Sequence, residues 1–395
     1  METLLTGINV VDVRNGSIEN NTNLLIRDHY IAECIKDQND YLSNNQQTKV
    51  LDCSGCYVVP GLIDLHVHLM WSGGTDPQDT VEREGLQTTI LRAAQNAYKN
   101  LSSGITTVRD LGSHENAAIA INKGIENGYI NGSRVIPSGM SIIMTGGHDP
   151  FWGIEADGID EVIKAVRKQI TVGSKVIKVS ATGGVYGRAE GEEVENTELT
   201  YEELKAIVLE CHRFGLKVAA HSISWQGIKN CVEAKVDSIE HGHFLTEELC
   251  EQMSESGLAL VPTLYIYKKI AEGVNVPAYA TNKAKAITSK HKQAFGFALN
   301  KNVLLGSGSD AGSPNLPHPA LVDELECMVE SGASELKTLQ AATIDSAKIL
   351  GYDGILGLVE KNILADLLII TDNPLVDISS LRKVKYVFKE GQLIR

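Results

Sequence analysis

Across residues 59–355, short apolar stretches alternate with helical ones, and this alternation restricts the fold more than any other feature of the chain. Parallel strands need a crossover of a dozen or more residues, usually a helix, and strands covered on both faces read as nearly unbroken apolar runs. Eight candidate strands end near His68, Asp110, Ile142, Ala181, His221, His241, Leu264 and Asp310. The helix predicted over 201–214 is well marked: Thr200 and Glu203 have capping-box spacing, Leu204, Ile207 and Val208 share a face, and Gly215 stops it. The pattern predicts an α/β fold, a (β/α)8 barrel, which by itself fills about 250 residues. No repeat or low-complexity segment favours a solenoid.

The flanks read differently. Residues 1–58 contain short alternating strands, such as Asn23-Leu24-Leu25-Ile26 and Tyr30-Ile31-Ala32-Glu33-Cys34-Ile35, broken by Asn-Gly and Asp/Asn-rich turns. Residues 356–395 contribute further strands at 365–370 and 384–388. Both termini are expected to share one small β domain (1–58 and 356–395), with the barrel occupying 59–355.

Chemistry-bearing residues collect at the predicted strand ends. His66 and His68 are two apart on an apparent strand and so share a face, roughly 6 to 7 Å along it, where both imidazoles can meet one ion. The C-terminal strand ends of a barrel form a single mouth, so Lys178, His221, His241 and Asp310 would join them there. A lysine in the apolar run around Lys178 is costly as a cation. Without its proton it is an amine nucleophile, and with carbon dioxide it becomes a carbamate able to bridge two cations. His221 and His241 each end an apolar stretch and could ligate a second ion. Glu240 should lie on the opposite face from His241 and support the site from behind. Asp310, in a glycine-rich strand end, is the candidate metal ligand and general base.

Bulk properties exclude other classes. The balance of 36 basic and 50 acidic residues, 36 − 50 = −14, has the wrong sign for a nucleic-acid surface. The N-terminus has no basic leader followed by an apolar stretch, and no run approaches the ~18 apolar residues of a membrane span. Seven cysteines, an odd number spread through the chain, read as reduced thiols, so a cytoplasmic location is expected. Cys53-Ser54-Gly55-Cys56 is a CxxC without the second pair that a zinc ribbon needs, and is read as two incidental cysteines near a strand end.

Taken with their surroundings, these residues resemble the amidohydrolase superfamily, in its metal-dependent Xaa-Pro and Xaa-Arg/Lys dipeptidase branch near the imidazolonepropionase-like proteins. The similarity runs through Val59-Pro60-Gly61-Leu62-Ile63-Asp64, Gly104-Ile105-Thr106-Thr107-Val108-Arg109-Asp110, Thr145-Gly146-Gly147-His148, the Lys178 strand, Ile239-Glu240-His241-Gly242, Val261-Pro262-Thr263-Leu264 and Ala365-Asp366-Leu367. It implies a distorted (β/α)8 TIM barrel with a β-sandwich built from both termini. It also implies two divalent ions, zinc by preference, bridged by Lys178 carboxylated with carbon dioxide. His66, His68 and Asp310 would hold the more buried ion and His221 and His241 the other, with a metal-activated hydroxide between them. Single-metal relatives generally lack the lysine.

The implied activity is hydrolysis of an amide, in a dipeptide or an N-acyl amino acid, with Asp310 taking the water proton. Opening of a cyclic amide or deamination is the alternative enzyme class, which Lys178 weighs against; a non-catalytic, metal-stabilised binding protein is the remote one. Relatives often carry His or Tyr two residues after the fifth-strand histidine, where this chain has Ile223. His148, Tyr186 or Tyr265 is expected to compensate, and Arg188 is the expected grip on a substrate carboxylate, with Tyr267 a further candidate contact. The oligomeric state, monomer or homo-oligomer, is left open.

Overall fold

The computed structural model describes residues 2–35, 38–188 and 191–395. Eight parallel strands ring the centre: Leu62–Val67, Ile105–Asp110, Arg134–Pro137, Ile177–Ser180, Val218–Ser222, Ser238–His241, Ala259–Val261 and Leu304–Leu305. The first three form one ladder and the last five another. The seams are closed by the Lys175 amide donating to the Pro137 carbonyl (2.8 Å), the Leu65 amide donating to the Ser307 carbonyl (2.8 Å), and a parallel bridge between Val67 and Ala311. Helices cross between strands. Tyr201–Arg213 carries the expected reciprocal cap, with Thr200 and Glu203 each bonding the other's backbone, and Gly215 takes φ +72° just beyond it.

Three strand ends depart from expectation, the eighth because its ladder stops at Leu305, short of Asp310, which sits in a left-handed turn. The third strand, expected to finish near Ile142, is split. Arg134–Pro137 pairs with Ile105–Asp110, the chain turns at Gly139 (φ +72°), and Ser141–Ile143 then touches the Lys178 strand at one register position, Ile142 beside Val179. The seventh ends at Val261 instead of Leu264. Pro262 brings no amide to a ladder, Thr263 enters the left-handed region (φ +49°), and Leu264 opens the helix Leu264–Glu272.

The termini build one curled sheet that completes the β-sandwich of a barrel-plus-sandwich architecture. Glu2–Val11 pairs antiparallel with Ile18–Arg27 and parallel with both Lys49–Asp52 and Tyr57–Pro60. Leu367–Ile370, from the other end of the chain, runs antiparallel between Tyr57–Pro60 and Val384–Lys389. Only Gly61 separates Tyr57–Pro60 from the His66 strand, and its amide donates to the Asp366 carbonyl (2.7 Å). The foot of the strand bearing both histidines is thereby fixed to the terminal sheet. Among the described residues no helix is long and apolar enough to cross a membrane.

Candidate metal centre

At the C-terminal mouth of the ring, one cavity is lined by His66, His68, His148, Lys178, His221, His241 and Asp310. The six residues expected as ligands are thus brought together. Asp310 Oδ1 lies 3.3 Å from His68 Nε2 and 3.8 Å from His66 Nε2. Ligand atoms of His66, His241 and Asp310 all lie within 4.8 Å of one another, and the His221 and His241 rings are 4.6 Å apart. His241 therefore stands between the two expected halves of the set.

The backbone here is held in uncommon conformations. His241 (φ +74°), Asp310 (φ +59°), Asp149 (φ +64°) and Thr263 (φ +49°) are all left-handed, a geometry that costs a non-glycine residue about 1–2 kcal/mol and persists where surrounding structure enforces it. Part of that enforcement is visible. Asp64, two residues before His66, accepts from the amide (2.9 Å) and hydroxyl (2.5 Å) of Ser309, tying the histidine strand to the Asp310 turn. Gly308 lets the two approach, since a side chain there would overlap Val261 and His66.

Each imidazole has one nitrogen engaged by the protein. Nδ1 of His66 donates to Glu240 Oε2 (3.0 Å), Nδ1 of His68 to the Gly112 carbonyl (3.2 Å), and Nε2 of His221 to the Gly183 carbonyl (3.2 Å), while Nδ1 of His241 pairs with Thr263 Oγ1 (2.7 Å). This leaves Nε2 of His66 and His241 and Nδ1 of His221 free, with Nε2 of His68 against Asp310 Oδ1, a pattern that orients imidazoles toward a cation. Burial, reinforced by neighbouring positive charge, holds the pKa of His221 and His241 well below the ordinary value and so keeps them neutral. Lys178 is 2% exposed, and burial likewise lowers its pKa, favouring the uncharged amine that reacts with carbon dioxide. Burial opposes ionisation of Asp310, but His66, His68 and Lys178 outweigh it and hold its carboxyl below the usual range. Burial also lowers the pKa of His66, whereas at His68 burial is outweighed by Asp310 and Asp110 and the pKa is raised. Three imidazoles held neutral, a fourth paired with an ionised carboxylate, and a buried amine form a donor set that fits divalent cations.

The side chains beyond this set are unevenly placed. The Ile223 side chain is fully buried, whereas His148 stands with its ring 4.2 Å from that of His221. Nδ1 of His148 donates to Glu192 Oε1 (2.6 Å), and Nε2 lies 3.3 Å from Asp149 Oδ1. Burial disfavours its charged form, but Asp149, Glu192 and Glu198 prevail and raise its pKa to about 9. Tyr186 and Tyr267 line the cavity, as do Trp71, Trp152, Ile266 and Ile270. Tyr265 does not: Ile266, Tyr267 and Ile270 form the cavity face of its helix, and the Tyr265 amide is held by Glu324 (2.7 Å). Arg188 also lies outside the lining; its guanidinium sits against Gly146, with a buried Nε that finds no partner among the described residues.

Asp149, Glu192, Thr263 and the two tryptophans were not singled out from the sequence. His148-Asp149, directly after the Thr-Gly-Gly turn, was the one available signal.

The amidohydrolase family profile matches residues 57–394. A solved structure of a Xaa-Pro dipeptidase with methionine bound in its active site superposes with a TM-score of 0.91 at 31% identity, covering 100% of this chain and 99% of that one. A prolidase complexed with N-methylphosphonate-L-proline superposes at 0.89 and 28% identity, with 100% and 99% covered. An ochratoxinase from Aspergillus niger is 30% identical over 393 residues, 90% of this chain and 78% of that protein. These similarities bear out the resemblance read from the motifs, including its dipeptidase branch. The chain belongs to the amidohydrolase family and is a hydrolase of carbon–nitrogen bonds.

Proposed function

We propose that the chain is a two-metal hydrolase of an amide bond in a dipeptide, of Xaa-Pro or Xaa-Arg/Lys type, or in an N-acyl amino acid. The observation that carries the reading is the convergence of four oriented imidazoles, buried Lys178 and ionised Asp310 on one cavity. His66, His68 and Asp310 would hold one divalent ion and His221 and His241 the other, with carboxylated Lys178 contributing an oxygen to each. Bound there, such ions, zinc in the first instance, supply Lewis acidity toward a carbonyl oxygen and lower the pKa of water.

The chain's own groups account for the rest of the reaction. Asp310 accepts the proton of the attacking water and returns it to the leaving amine. His148, with its charged form favoured up to about pH 9 and Nδ1 held by Glu192, would donate from Nε2, which lies 3.3 Å from Asp149 Oδ1, to the carbonyl oxygen, the role left open by Ile223. Trp71, Trp152, Tyr186, Ile266 and Tyr267 keep the cavity walls dry around it. Arg188, which lies outside the cavity lining against Gly146, would have to turn toward the cavity to grip a substrate carboxylate. The dipeptidase and prolidase likenesses support a peptide-like substrate, and the ochratoxinase likeness supports an amide. Seven unbridged cysteines and an excess of acidic residues fit a cytoplasmic enzyme of small molecules that does not bind nucleic acid.

The test is a screen of Xaa-Pro, Xaa-Arg and Xaa-Lys dipeptides and N-acyl amino acids against zinc- or manganese-loaded protein, following the released amine, with metal content measured on the same sample. Turnover of one class with two ions per chain is the expected result. One ion per chain rejects the binuclear reading, and full metal loading with no turnover rejects the substrate class.

A further inference from the structure

The segment that follows the Lys178 strand carries Val185 and Tyr186 into the cavity wall and is gripped from outside the barrel by one cation. Lys283, on the second turn of the helix Ala278–Asn300, donates to the carbonyls of Gly184 (3.4 Å), Arg188 (3.4 Å) and, closest, Glu192. An ammonium has three donors and no acceptor, so three carbonyls satisfy it fully. One turn earlier the Tyr279 hydroxyl donates to the Gly187 carbonyl (3.2 Å), and its ring lies under the same ammonium at 5.7 Å. Across the cavity, the Tyr186 hydroxyl donates to Asp76 Oδ1 (3.1 Å).

Glu192 links this clasp to the chemistry. Its backbone carbonyl is held by Lys283. Its side chain meanwhile accepts from His148 Nδ1 (2.6 Å), the Gly184 amide (2.7 Å) and the Arg188 amide (2.6 Å). Four carbonyls of the segment thus face one helix, while its carboxylate faces the histidine beside His221.

We propose that Lys283 is a positioning residue. It holds residues 183–188 and 192 in the closed arrangement that fixes His148 and shapes the substrate cavity, and so it sets substrate affinity without touching substrate. The proposal rests on the amide-hydrolase reading for its kinetic consequence but not for its structural one.

The experiment uses full-length, metal-loaded protein with Lys283→Met, which keeps volume and removes the charge, and Lys283→Arg, which restores a cation. Amide hydrogen exchange is followed at Gly184 and Arg188, whose N–H groups depend on Glu192, together with KM and kcat on the best amide from the screen. Lys283→Met should speed exchange at those amides and not through the barrel strands, and raise KM about tenfold while kcat changes much less, in keeping with loss of a charge-assisted hydrogen-bond set. Lys283→Arg should recover most of both. Wild-type exchange and KM in Lys283→Met overturn the proposal, as does failure of Lys283→Arg to recover either. If Lys283→Met folds poorly, Lys283→Gln gives the same reading at smaller amplitude. If no amide is hydrolysed by the wild type, the functional reading falls while the exchange comparison still decides the clasp.

Discussion

Inside the barrel, Arg109 Nη2 donates to Glu240 Oε1 over 2.8 Å, and the second oxygen of that carboxylate receives the Nδ1 proton of His66. Arg109 also donates to the Leu65 carbonyl (2.7 Å) and Ser238 Oγ (3.0 Å), so strands one, two and six are locked behind the cavity-lining imidazole of His66. Burial opposes ionisation of Glu240, yet Arg109 and His66 together lower its pKa to about 2.

Glu240→Gln should therefore do two separable things. Leaving Arg109 as a buried, half-paired cation should cost about 3–5 kcal/mol of stability. Loss of the acceptor that orients His66 should weaken metal binding about 10- to 100-fold. Denaturant melts of the metal-free protein read the first, and metal titration of the folded protein reads the second. Wild-type metal affinity would remove Glu240 from any role in orienting His66.

Asp310→Asn isolates proton transfer with little backbone disturbance, because Asn tolerates the left-handed conformation (φ +59°) that Asp310 adopts. A positioned general base contributes about 10²- to 10⁴-fold, so kcat should fall by that factor while bound metal is retained. Near-normal turnover would sink the assignment.

How much of this was legible in the sequence depended on whether a residue's role is fixed by the chain around it. His66 and His68 share a strand face by the pleat alone, and Lys178, His221, His241 and Asp310 end apolar strands, so barrel topology places them without any knowledge of the loops. Glu240 reads as a support for the site from behind, but its bond to His66 is not legible, because Arg109 and His66 lie more than 100 residues away in sequence. Tyr265 and Tyr267 look alike in sequence. Only the start of the Leu264–Glu272 helix, set by the left-handed Thr263, decides that Tyr267 faces the cavity. The split third strand was hidden because Val135-Ile136 and Ile142-Ile143 are both apolar, and the turn between them depends on Gly139.

Glu324, outside the cavity lining, offers a pH-dependent test. Its buried carboxyl accepts the Leu264 (2.9 Å) and Tyr265 (2.7 Å) amides that open the helix after Thr263. Burial raises its pKa from 4.5 to about 8, against those two hydrogen bonds. The folded state thus binds this proton more tightly than the unfolded chain. Its contribution to stability is greatest below about pH 4.5 and shrinks as pH rises to about 8. Glu324→Gln removes the titration, so the variant should gain on the wild type across that window by an amount of order a few kcal/mol. Chemical denaturation of both proteins at pH 5 to 8.5 checks it, and parallel curves would show that Glu324 does not titrate there.

Lys178 gives the sharpest separation of stability from function. Its long side chain is 2% exposed and lines the cavity with the imidazoles and Asp310, and burial lowers its pKa against the pull of Asp149, Glu240 and Asp310, so the metal-free fold carries an amine that contributes little to stability. Lys178→Met keeps the volume and removes the polar atom, and replacing a buried charge-bearing group by an apolar isostere is commonly neutral or stabilising by about 1–4 kcal/mol. The metal-free variant should therefore melt no lower than the wild type. If the two-metal proposal holds, its metal content should nevertheless fall from two ions to one and its turnover be lost, because among the described residues no other lysine lines the cavity. A Lys178→Met protein that still holds two ions would show that the lysine is a packing residue, and the bridging role would have to be given up.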